Sequence, residues 1–97
     1  MVVVLEEMFQ VILVGIAEDL KLEIVKTRAG FFLSKGDVSA GFMTFVDREG
    51  KLRITMMIRG SPTQRPRDLG NFTKEELSGK DSKVRKVILA NISEFFV

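Results

Sequence analysis

The sequence predicts a single α+β domain spanning residues 1–97: an N-terminal helix, an antiparallel β-meander of three to four strands, a long basic loop, and one or two C-terminal helices packed on one sheet face. Three observations lead there. Apolar residues recur with the helical period over the first twenty positions, the period falls to two between Lys21 and Arg59, and the helical period returns after Thr73. With 97 residues, 45% hydrophobic and 29% charged, the chain has the balance of one globular domain rather than a disordered segment.

The first element covers Leu5 to Leu20. Apolar side chains stand at 5, 8, 9, 12, 13, 16, 17 and 20, with Glu7, Gln10 and Glu18 opposite, so one helix face meets a core. Val11 and Val14 widen the apolar surface beyond that face, which calls for cover from a second element or subunit. The segment is not expected to be a signal peptide or membrane anchor. No basic residue precedes it, Glu6, Glu7 and Gln10 interrupt it, and Val11 to Ala17 falls short of the roughly 20 residues a bilayer requires.

Next come strands at Leu22 to Arg28, Phe31 to Lys35, Gly41 to Val46 and Leu52 to Arg59. They are separated by Arg28-Ala29-Gly30, Lys35-Gly36-Asp37 and Asp47-Arg48-Glu49-Gly50, residues that favour turns. The last of these closes a hairpin with Gly50 at a left-handed position. The stretch from Lys35 to Ala40 reads equally as strand or loop.

Gly60 to Phe72 holds both prolines and shows no periodicity, which predicts a long surface loop. Thr73-Lys74-Glu75-Glu76 matches a capping box, with Phe72 placed to staple the helix start. That helix stops near Gly79. A second start at Asp81 or Ser82 opens a helix whose apolar stripe, Val84, Val87, Ile88, Ile92, Phe95 and Phe96, runs to the C-terminus.

Composition excludes much chemistry. The chain contains no His, Cys, Tyr or Trp, so a Ser-His or Cys-His nucleophile is impossible. A transition-metal site would have only carboxylates for ligands, and none is expected. Phosphate-cradling glycine motifs are missing as well. Asp37, Asp47, Glu49 and Asp68 sit at turns or in the loop, where carboxylates cap their own backbone, so neither a cofactor nor catalysis is expected. Missing cysteine favours a cytoplasmic setting. Two Asn, two Gln and many charged residues lean toward a heat-loving source, against which stand five methionines.

Charge is unevenly spread over a net of +2. Residues 1–47 hold four Lys or Arg against seven Asp or Glu; residues 48–97 hold eleven against six. On the last strand, Leu52, Ile54, Met56 and Ile58 share one face, and Lys51, Arg53, Thr55, Met57 and Arg59 the other. Arg65 and Arg67 continue the basic run into the loop. Lys51, Arg53, Arg59, Arg65 and Arg67 are therefore candidate phosphate contacts for a nucleic acid, or simply a solvated face paired across strands. Val11, Val14, Phe95 and Phe96, with Val97, exceed what one sheet face should cover and are candidates for an association surface. The expectation is a small non-catalytic interaction module that self-associates, as a homodimer, with nucleic-acid binding through residues 48–67 as the alternative.

Overall fold

The computed structural model describes residues 2–28, 30–60, 66–79 and 82–96. Its elements in chain order are α1 (Val2–Leu20), β1 (Glu23–Thr27), β2 (Gly30–Lys35), β3 (Val38–Val46), β4 (Leu52–Arg59), β5 (Arg67–Phe72), α2 (Lys74–Leu77) and α3 (Lys83–Ile92). The strands form one antiparallel sheet in the order β1-β2-β3-β4-β5, so every strand lies beside its neighbour in sequence. α1 packs across β1, β2 and β3, and α3 packs against α1 and β5, which gives one helical layer on one sheet face.

The 3.6-residue period of α1 places Leu5, Phe9, Ile12, Leu13, Ile16 and Ala17 in the core. Phe9 is wholly buried and meets the rings of Phe31 and Phe42 edge to face, with centroids 6.0 and 5.9 Å away. The helix ends at Lys21, whose φ of 57° is left-handed, while the Leu22 N–H returns to the Ala17 carbonyl at 2.8 Å. That bond and the buried Leu22 side chain make a Schellman stop that points the chain into β1. The sheet adds Phe31, Leu33, Ala40, Phe42, Leu52, Ile54, Met56, Ile58 and Phe72, and the C-terminal segment Leu77, Val84, Ile88, Ile92 and Phe96.

The β3–β4 hairpin turns on Asp47, whose carboxylate accepts the backbone N–H groups of Glu49 and Lys51 at 2.9 and 3.0 Å. Gly50 has φ of 77°, the left-handed geometry the turn requires. The capping box at α2 is also formed. Thr73 N–H donates to Glu76 Oε1 at 2.9 Å and Glu76 N–H to Thr73 Oγ1 at 3.2 Å. Ser82 caps α3, its hydroxyl accepting the Arg85 N–H at 3.1 Å.

Two expectations need correction, and one open reading is resolved. The sheet has five strands, not three to four, because Arg67–Phe72 in the expected basic loop pairs with β4. A register shift at Ile54/Thr55 and the turn made by Asp68, which accepts the Gly70 N–H at 3.1 Å, break the alternation that would have revealed this strand. The interval from Lys35 to Ala40 resolves into a tight turn and the start of β3 at Val38. Finally, the last helix stops at Ile92: Phe95 N–H bonds the Ile92 carbonyl at 2.9 Å in a turn, and Phe96 follows that turn outside the helix.

Candidate functional site

Among the described residues, the helices lie on one face of the sheet. On the other, strand register assembles rows of directly paired residues, which point the same way. Glu23, Ser34, Ser39 and Arg59 form the first row across β1 to β4, and Val25, Phe32, Gly41 and Met57 the second. Met43 and Thr55 pair in the third row with Asp68 beyond them, and Phe45, Arg53 and Asn71 make the fourth. Among the described residues, the large apolar side chains of the sheet left exposed are Val25 (48%), Met43 (60%), Phe45 (52%) and Met57 (39%), all on this face. No described element lies over them.

The face has relief as well as apolar character. A Cβ built at Gly41 would lie 2.7 Å from the Phe32 ring, so the bare glycine is what lets that ring lie across β3. Beside it a shallow cavity of about 300 Å³ opens among Phe32, Gly41, Met43, Met57, Arg59 and Pro66. The guanidinium carbons of Arg59 and Arg53 stand 5.8 and 5.6 Å from the centroids of Phe32 and Phe45.

The five expected phosphate contacts do not gather. Arg53 and Arg59 lie on the open face. Lys51 precedes β4 and pairs with Glu49 at 3.3 Å in the hairpin. Arg67 opens β5 opposite Met56, on the covered side, where it bonds Glu94 at 3.5 Å and lies 5.6 Å from the Phe95 centroid. Arg65 lies outside the described residues. Even on the open face Arg53 is neutralised, by Asp68 at 2.6 Å. That bond, with help from the Gly70 N–H, holds the Asp68 carboxyl below its ordinary range. Asp47 is held down too, first by the Lys51 N–H and then by the Asn71 side chain. Among the described residues, Arg59 and Glu23 have no ion pair.

The four expected interface residues are dispersed as well. Val11 is 71% exposed on α1, beside a groove it shares with Met8, Ile12, Gly15, Leu77 and Arg85. Val14 is partly covered, and Phe95 is half-buried under Arg67. Phe96 is buried in the core at 7% exposure, so the chain itself takes up that part of the apolar surplus. Sequence reasoning missed Val25, Met43, Phe45 and Met57. The signal for them is that β3 and β4 carry apolar residues on both faces, in Phe42-Met43 and Met56-Met57, where a wet strand alternates.

Among the described residues no cluster of three or more carboxylates could hold a metal ion, and no helix is long and apolar enough to cross a membrane. The chain matches no known protein family, no curated protein and no solved structure, and the chemistry of the uncovered face is what bears on its function.

Proposed function

We propose that this chain is a non-catalytic binding module that works by protein–protein contact through the uncovered face of its sheet. The observation that carries the reading is the exposed apolar set of Val25, Met43, Phe45 and Met57 around Phe32 on that single face. A wet antiparallel face ordinarily alternates to polar residues, and contiguous apolar surface of this kind marks a contact site. Charge favours a protein partner over a nucleic acid. Arg53 is matched by Asp68 and Lys51 by Glu49, and Arg67 faces the other way, so one unpaired cation, Arg59, remains among the described members of the basic run on this face. A phosphate backbone calls for several such cations together.

A nucleic-acid reading keeps one specific support, the two arginine–phenylalanine pairs, since aromatic and guanidinium planes both stack on bases. One experiment separates the two. A photo-crosslinking amino acid is placed in living cells at Met43, on the open face, and in a second variant at Lys74, on the exposed side of the helical layer. The expected result is protein adducts at position 43, insensitive to nuclease, and few at 74. Nuclease-sensitive adducts at 43, or adducts confined to 74, would overturn the proposal.

A further inference from the structure

We infer that the partner seated on the open face is a second copy of this chain, in a face-to-face dimer whose two-fold axis runs parallel to the strands between β2 and β3. This rests on the binding reading above and adds the occupant and its registry.

Two charged residues on the strands of the open face have no ion pair among the described residues. Glu23 and Arg59 occupy the ends of one row, Glu23-Ser34-Ser39-Arg59, on β1 and β4. Three strand spacings separate them, about 14 Å, too far for an ion pair within the chain. A two-fold axis between β2 and β3 lays β1 of one copy over β4 of the other, and keeps each row over itself. Glu23 of each copy then faces Arg59 of its mate, twice per dimer, and both orphan charges are satisfied. Facing strands are then parallel, and tilting the axis by about 15° gives the crossing of about 30° common in stacked sheets. Each charge lies about 7 Å from the axis, so that crossing displaces the pair by about 4 Å, within the reach of an arginine side chain.

The same rotation matches the apolar relief. Val25 falls over Met57 of the other copy, and Phe32 over Gly41, so a ring meets a bare backbone rather than another side chain. In the row below, Met43 falls over Gly30, the residue that continues β2 past Phe31. Strands β1 to β4 span about 20 Å, and the five residues of β1 that lie over β4 about 17 Å, so the two faces together enclose about 700 Å², with Phe45 at the margin of the contact. That is below the standard size of specific interfaces, so the association is a weak one. The assembly has four layers, helices outside and the two sheets in the middle.

Charge reversal tests this registry. Glu23→Arg sets two arginines against each other at both ends of the interface, and Arg59→Glu does the same with two glutamates. Both residues are exposed, so the monomer fold is preserved, which circular dichroism checks. In sedimentation equilibrium the wild-type chain should dimerise and each single variant should bind itself at least about tenfold more weakly. An equimolar mixture of the two variants should restore a dimer within about threefold of wild type, as should the double variant. A chain that stays monomeric, or a dimer indifferent to reversal, or singles not rescued by mixing, overturns the inference. If it fails while crosslinking at position 43 still captures another protein, the binding surface stands and only its occupant is wrong.

Discussion

Replacing one phenylalanine by alanine should have opposite consequences on the two sides of this sheet. Phe9 is wholly buried between Phe31 and Phe42, and Phe9→Ala removes the ring that fastens α1 to the sheet. Transfer and cavity terms for such a truncation come to about 3–5 kcal/mol, with the two edge-to-face pairs pushing toward the upper end. A domain of this size has about 5–15 kcal/mol in all, so the variant loses a large share of its stability and melts about 12–40 °C lower. Phe45 is 52% exposed, and Phe45→Ala loses little beyond the contact with Arg53, about 0.5 kcal/mol. The assay is urea unfolding followed by far-ultraviolet circular dichroism, because the chain has neither Trp nor Tyr to report by fluorescence. Both curves should keep the wild-type slope and differ only in midpoint. The protein is held dilute, so that association through the open face does not add to the second value. A Phe9→Ala loss below about 1.5 kcal/mol, or a Phe45→Ala loss of comparable size, would refute the assignment of covered and uncovered faces.

Two further predictions concern the elements that frame the face. Thr73→Ala removes the hydroxyl of the capping box and should cost about 1 kcal/mol, while Thr73→Ser should retain most of it; thermal melts of the two side by side decide. Asp47, Asp68 and Glu76 are all held below the ordinary carboxylate range, Glu76 chiefly by the Thr73 N–H. A depressed folded-state value means stability that is full at neutral pH and is lost as pH falls through the carboxylate range. The urea midpoint should therefore be flat near neutrality and drop on acidification, less steeply in Asp68→Asn, and a midpoint that rises on acidification would contradict the hydrogen-bond assignments.

What was legible in the sequence follows the range of the forces involved. The α1 stripe, the Asp47 to Gly50 hairpin and the Thr73 capping box are set by residues within a turn or two of one another, and each is present as read. Strand β5 was hidden because its bulge puts Asp68, Leu69 and Gly70 out of alternation, and because its pairing is decided by β4 rather than by its own residues. Phe96 was misassigned because helical spacing continues past Ile92 although the helix does not. On the candidate face, alternation correctly turned Arg53 and Arg59 outward. It carried no knowledge of what stands beside them: Asp68 reaches Arg53 across 15 positions of chain, and Glu23 shares a row with Arg59 only through two intervening strands.

The sheet order has a kinetic consequence. Because spatial order repeats chain order, each strand pair closes a short loop, and the conformational search needed to build the sheet is a series of local steps. Hairpin formation takes microseconds, and topologies dominated by local pairings fold fastest for their strand content. The distant closure falls to α3, where Arg85 joins Asp19 across 66 positions of chain. The sheet, with its exposed apolar face, can thus be complete before the C-terminal helix docks, and in a chain still being synthesised that face is on display first.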